Sequence, residues 1–151
     1  MKALENRLQL IESYISDAER LNPKVSKVNV AWQLDHSLKV INSVVNSMKN
    51  SDPTLFKDNF SVLGKLLLKL NFFPKGKAKS PDHVNPPTII LKENIVLQLE
   101  QAKDNINQIK NFDENAYFKH PLFGNINKVR ILGFLNAHTH HHLKIVKSIL
   151  K

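Results

Sequence analysis

The sequence from Asn127 to Lys151, NKVRILGFLNAHTHHHLKIVKSILK, has the pattern of one long amphipathic helix with a histidine-rich middle. At about 100° per residue, His138 and His142 fall on one face of this helix, one turn apart. The same face carries the apolar side chains of Ile131, Leu135, Val146 and Ile149. The stretch therefore predicts a core-facing helix that aims two imidazoles inward.

Two neutral imidazoles spaced i, i+4 suit one divalent metal ion, because both rings lean the same way from neighbouring turns. Without a partner they would be costly to bury, since each ring keeps a donor and an acceptor. A hydrogen-bonded structural pair, or a site that has lost its metal, is the alternative. His140 is expected to face solvent and His141 to lie at the edge of the stripe, and neither is expected to be a ligand.

Length and composition predict one globular domain over residues 1–151, because 42% of the residues are hydrophobic and 23% are charged. No apolar run reaches the roughly 18 residues of a membrane span, and the N-terminus lacks a signal-peptide core. A cytoplasmic, non-membrane protein is therefore expected. The chain contains no cysteine, so a metal would need nitrogen and oxygen ligands.

The formal charge of +9 raises the question of nucleic-acid binding, since lysine and arginine contacts to phosphate supply most non-specific affinity. The basic residues are nevertheless spread out, without a block of five like charges and without a recognition motif. We therefore do not expect a nucleic-acid partner. The same charge would also attract small anionic molecules.

Apolar residues at spacings of three and four predict four long helices, near residues 2–21, 29–49, 89–111 and 127–151, with an extra short helix near 54–70. Asn29 and Asn127 are the predicted N-caps. Residues 71–87 contain four of the seven prolines and predict a long loop between the second and third long helices. No strand is predicted. The expected fold is an all-α four-helix bundle.

The predicted inward positions of the first four helices, in chain order, are Leu4, Leu8, Ile11, Ile15 and Ala18; Leu34, Leu38, Ile41, Val45 and Met48; Phe56, Phe60, Leu63, Leu67 and Leu70; and Ile95, Leu99, Ala102, Ile106 and Ile109. His36 lies beside the second stripe, on the same side as Trp32. Bundles build sites from side chains on facing helices. His36, His138 and His142 would then form a three-nitrogen set.

Two stretches carry a family resemblance. Ala31-Trp32-Gln33-Leu34-Asp35-His36 and His138-Thr139-His140-His141-His142-Leu143-Lys144-Ile145 resemble the two histidine motifs of the DinB/YfiT-like superfamily of predicted metalloenzymes. His120-Pro121-Leu122-Phe123-Gly124-Asn125-Ile126, with Phe72-Phe73-Pro74-Lys75-Gly76, is similar to a branch of that superfamily formed by a domain family of unknown function. The resemblance covers essentially the whole chain.

The resemblance implies a four-helix bundle that binds one divalent metal ion through His36, His138 and His142. Characterised relatives include transferases that use a low-molecular-weight thiol and a maleylpyruvate isomerase, whereas many members have no known activity. A thiol cosubstrate is compatible with a chain that has no cysteine. Zinc, nickel, iron and manganese all accept imidazole, so the three histidines do not select among them.

The leading functional hypothesis is a metal-dependent enzyme, an S-transferase or hydrolase, acting on a small molecule. Three histidines leave a coordination position for water or substrate. The alternative is a non-enzymatic helical-bundle binding or stress protein whose histidine cluster is structural or vestigial. His83 and His120 lie on predicted loops, from which each could approach the open side of the site, but a structural role is expected for each. A homodimer through bundle faces is compatible with the pattern.

Overall fold

Helices make up most of residues 1–70 and 82–151, the parts of the chain that the computed structural model describes. These helices are α1 (Lys2–Ser13), α2 (Val30–Lys49), α3 (Val62–Lys69), α4 (Lys92–Gln108) and α5 (Lys128–Ile149). Strands β1 (Tyr117–His120) and β2 (Gly124–Asn127) form an antiparallel hairpin between α4 and α5. The predicted helical class is confirmed, whereas the prediction of no strand was wrong because of this small hairpin.

The four long helices share one apolar core. Helix α2 packs against α4 and α5, and α1 packs against the same two helices. Every predicted inward position of α2 and of the α4 segment is buried, as are Leu4, Leu8 and Ile11 on α1. Within the two described ranges, no helix has the length and apolar character needed to cross a lipid bilayer.

The first helix ends earlier than predicted. Helix α1 stops at Ser13, and a 3-10 turn over Ile15–Asp17 follows it. Ala18 is nevertheless buried, and its carbonyl accepts a hydrogen bond from the backbone N–H of Ala31 at 2.7 Å. The apolar spacing correctly predicted that Ala18 is buried, because a tighter turn can still present this side chain to the core. The prediction of one continuous helix was wrong.

The segment predicted as a helix over 54–70 is also shorter. A 3-10 turn over Pro53–Leu55 precedes a connection without helix, and α3 begins only at Val62, where the hydroxyl of Ser61 caps the N–H of Gly64. Phe60 and Leu67 are buried as predicted, but Leu63 and Leu70 are exposed. The connection is extended because its backbone and side chains bind the hairpin instead.

Residues 57–61 hold the end of the hairpin in place. The side-chain oxygen of Asn59 accepts a hydrogen bond from the N–H of Asn125 at 2.7 Å, and the N–H of Ser61 donates to the carbonyl of Phe123 at 2.9 Å. Gly124 has φ +79°, and a Cβ there would lie 2.5 Å from the carbonyl oxygen of Asn59. Glycine is thus required at this turn by both backbone angle and space.

The two predicted N-caps have different outcomes. The side chain of Asn29 accepts a hydrogen bond from the N–H of Trp32 at 3.0 Å, which confirms this cap. Asn127 is the N-cap residue of α5 as predicted, but its side chain makes no cap hydrogen bond. Most of the predicted 71–87 loop, including residues 72–76, lies outside the described residues. Asp82–Val84 forms a 3-10 turn beside α2.

Candidate metal centre

Three histidines from two helices meet at one place. His36 comes from α2, and His138 and His142 come from α5. One ring nitrogen from each lies within 4.8 Å of the others. The ring centroids are 4.7 Å apart for His138 and His142, 4.8 Å for His36 and His142, and 5.3 Å for His36 and His138. The structure thus brings together the three residues predicted as metal ligands.

The orientation of the His36 ring is fixed by a backbone carbonyl. Nδ1 lies 2.9 Å from the carbonyl oxygen of Val84, in the turn beside α2. A carbonyl can only accept, so Nδ1 carries the proton and Nε2 keeps its lone pair. The indole of Trp32 stacks on the same ring at a centroid distance of 4.9 Å and an interplanar angle of 19°. His36 is therefore held in the tautomer that suits a ligand.

The His142 ring is oriented by a side chain from α2. Its Nδ1 donates to Oε1 of Gln33 at 2.6 Å, and Nε2 of Gln33 donates to the hydroxyl of Ser26 at 3.4 Å. Gln33 and His142 are both buried. The amide oxygen can only accept, so Nε2 of His142 also keeps its lone pair. Such partners orient the ring and raise the basicity of metal-binding histidines.

Burial keeps all three imidazoles neutral at ordinary pH. Removal from water lowers the pKa of His36 below 6.5, and the hydrogen bond to Val84 opposes this effect only in part. Burial, together with repulsion between the protonated rings, lowers the pKa of His138 and of His142 well below 6.5. Neutral imidazole is the form that binds metal.

The donor set fits a divalent ion. A tetrahedral zinc ion with Zn–N bonds of about 2.0–2.1 Å would place the nitrogens about 3.3 Å apart. The observed upper limit of 4.8 Å exceeds that spacing by an amount within reach of side-chain rotation. Neutral nitrogen ligands also suit nickel, iron or manganese. The residues therefore support one metal ion without selecting its identity.

A family model matches residues 6–148, a range that includes all three histidines. The chain belongs to the family described as "Protein of unknown function (DUF1569)". No curated protein and no solved structure matches the chain. The DUF1569 description gives no activity, so the chemistry of this member depends on its own residues.

The carboxylates near the histidine motifs point elsewhere in this DUF1569 member. Asp35 adjoins His36 in sequence, but its carboxylate binds Nζ of Lys39 at 2.7 Å and the amide of Gln98 on α4 at 2.6 Å. Glu114 is exposed and pairs with Lys128 at 3.3 Å. Neither carboxylate belongs to the cluster of potential metal ligands. We therefore assign no general base.

The remaining histidines lie around the centre without joining the group of three. His140 is half-buried near Arg7, not fully exposed as predicted, and burial is the larger cause that lowers its pKa. The His141 ring meets the His142 ring edge-on at 5.0 Å. His83 is exposed in the turn that contains Val84. His120 lies at the end of the hairpin, near Phe134.

Two contributors to the site were missed by the sequence analysis. Gln33 precedes His36 by one helical turn, so a polar residue at i−3 on the same side of α2 was an available signal. Val84 contributes through its backbone carbonyl. Because every residue type carries that group, the sequence held no side-chain signal for it.

Proposed function

We propose that this DUF1569 member is a metal-dependent enzyme that acts on a small molecule, and that it belongs to the DinB/YfiT-like superfamily. The observation that carries the proposal is the meeting of three neutral imidazoles, two of which have their Nδ1 protons engaged by Val84 and Gln33. A purely structural histidine pair would not need a third ring converging on it. The placement of one ligand on α2 and two on the last helix agrees with the resemblance.

The geometry supports a separate role for each residue at the centre. His36, His138 and His142 would hold the ion, and a fourth position would accept water or a thiol. A bound divalent ion lowers the pKa of such a ligand, which supplies a nucleophile near neutral pH. Gln33 and the Val84 carbonyl orient two of the rings. Trp32 and Phe134 lie against the rings and exclude water from their faces.

A thiol-dependent S-transferase is the first reaction class to test, with hydrolysis as the second. The chain has no cysteine, so any thiolate at the centre must come from a cosubstrate. Homodimerisation stays a prediction, as does a cytoplasmic location.

Cobalt(II) substitution tests the proposal directly. A low-molecular-weight thiol such as 2-mercaptoethanol, added to cobalt-loaded protein, is expected to produce a thiolate-to-cobalt charge-transfer band that saturates with thiol concentration. The His142→Ala variant, which loses one ligand, provides the control and should not give this band. Cobalt binding without a thiolate-to-cobalt band would contradict the proposed S-transferase activity, and hydrolysis would become the first reaction class to test. Failure of the folded protein to bind any divalent metal would favour the non-enzymatic alternative.

A further inference from the structure

A fourth histidine, His120, is held in one tautomer by the hairpin turn. Its Nδ1 accepts hydrogen bonds from the backbone N–H groups of Leu122 at 3.1 Å and Phe123 at 3.2 Å. A nitrogen that accepts from N–H donors must carry its lone pair, so the proton of the neutral ring resides on Nε2. Burial lowers the pKa of His120 to about 4, which keeps the ring neutral near pH 7. His120 is therefore a neutral N–H donor.

Aromatic rings fix the plane of this imidazole. The ring stacks on Phe123 at a centroid distance of 4.2 Å and an interplanar angle of 9°. Phe134 meets it edge-on at 5.3 Å, and Phe118 does so at 6.0 Å. Both hydrogen bonds that the His120 side chain makes within residues 1–70 and 82–151 use Nδ1 and not Nε2. The hairpin thus presents a rigid donor that the described chain does not use.

The location of His120 relates this donor to the three-histidine centre. Phe134 lies 5.3 Å from the His120 ring and 6.1 Å from the His138 ring, measured between centroids. Charge on His120 is the smallest of the effects that lower the pKa of His138. It is not part of the group whose nitrogens converge. This arrangement suits a residue that contacts what the metal binds, not the metal itself.

We propose that His120 donates a hydrogen bond from Nε2 to an oxygen of a carboxylate-bearing small molecule bound at the three-histidine centre. The inference rests on the proposed function, because it requires a metal ion with a free coordination position. A carboxylate is the favoured acceptor, since a hydrogen bond to a charged group is stronger than one between neutral groups. The excess of basic residues, 22 against 13 acidic ones, also favours an anionic molecule.

Two substitutions separate the two nitrogens of His120. Asn places an oxygen as many bonds from Cα as Nδ1, so His120→Asn keeps an acceptor for the N–H groups of Leu122 and Phe123 but loses the distal donor. Gln places an amide nitrogen as many bonds from Cα as Nε2, so His120→Gln keeps the distal donor. Comparing the two variants distinguishes ligand binding from support of the turn.

The probe is acetate, titrated into cobalt(II)-loaded protein and followed by the visible absorption spectrum. Acetate is expected to bind about tenfold or more weakly to His120→Asn than to the parent, the effect of losing one hydrogen bond to a charged group. His120→Gln should stay within a few-fold of the parent. All three proteins should bind one equivalent of cobalt.

The outcomes separate this inference from the proposed function. Equal acetate affinity in the parent and His120→Asn, with cobalt bound in both, overturns the role of His120 and leaves the metal centre intact. Failure of the folded parent to bind cobalt overturns both. A readout independent of metal is the imidazole ¹⁵N NMR spectrum of the metal-free protein. At pH 7 it should show His120 protonated at Nε2 alone, and a proton on Nδ1 would overturn the inference.

Discussion

His36 and His142 each use one ring nitrogen, Nδ1, to fix the position of the ring and leave the other, Nε2, available to a metal ion. The Val84 carbonyl and the Gln33 amide oxygen accept the two Nδ1 protons, so the tautomers are set before any metal binds. This preorganisation matters because a free imidazole would divide its population between tautomers and rotamers. Gln33 therefore belongs to the centre together with the His142 ring that it orients.

The Gln33→Leu variant removes the acceptor for His142 without leaving a large cavity. We expect metal affinity to fall about 10- to 100-fold, the usual effect of losing a partner behind a histidine ligand. Isothermal titration with zinc measures the change. Gln101→Leu, at an exposed position on α4, is the matched control and should bind as the parent does. Unchanged affinity in Gln33→Leu would show that Gln33 does not orient the ligand.

At the residue scale, the sequence identified the three histidines because helical periodicity places His138 and His142 on one face and a short motif distinguishes His36. It did not identify the groups behind them. The pairing of Gln33 with His142 spans 109 positions, and no local pattern encodes such a contact. It also placed His140 on the solvent side of the helix, whereas the residue is half-buried.

The β1–β2 hairpin is the element that the sequence analysis missed. Each strand has only four residues, too few for an alternating pattern to stand out. Contacts with residues 57–61 hold the hairpin in place, and strand preference depends strongly on such surroundings. The same contacts explain why the predicted 54–70 helix starts late. Long, strongly periodic helices were predictable, whereas these short elements depend on each other.

The turn of the hairpin can be tested through its glycine. Left-handed backbone strain in a residue other than glycine costs about 1–3 kcal/mol. Gly124→Ala should lower the free energy of unfolding by more than this amount, because its Cβ also clashes with the Asn59 carbonyl. At Gly133, an exposed position on α5, an added Cβ meets no atom within 4 Å, so Gly133→Ala should raise the free energy of unfolding by up to about 1 kcal/mol. Urea unfolding of both variants measures the difference. Equal effects would contradict the turn geometry.

For the whole molecule, the centre links parts of the chain that are far apart in sequence. It joins α2 to the last helix, and the turn over Asp82–Val84 is tied to it through the hydrogen bond between Val84 and His36. Neutral rings are thus buried between α2 and α5. Protonation of any of them opposes folding, which makes the stability of the metal-free protein depend on pH.

The direction of that dependence follows from the lowered pKa values. Between the ordinary pKa of 6.5 and the lower folded value, the unfolded chain binds protons that the folded chain does not. Stability should therefore be fully present above pH 6.5 and decline as pH falls. Hydrogen bonds to Thr54 and Arg130 lower the pKa values of Asp52 and Asp58, and these two groups affect stability only below about pH 4.

Urea unfolding of metal-free protein at pH 7.5 and pH 5 measures this effect. His138→Gln removes one of the titrating rings. The loss of stability between the two pH values should be smaller in this variant, by up to about 2 kcal/mol, since each unbound proton contributes about 1.4 kcal/mol per pH unit below 6.5. An equal loss in both proteins would mean that His138 titrates normally in the folded chain.

The most direct test of the metal centre is elemental analysis of the untagged protein after incubation with divalent metals and removal of the excess. The parent should retain about one metal ion per chain. His138→Ala and the triple His36, His138 and His142 to Ala variant should retain none, while His140→Ala on the same helix should retain the parental amount. A well-folded parent without metal, or metal that persists in the triple variant, would contradict the assignment of the three histidines as ligands.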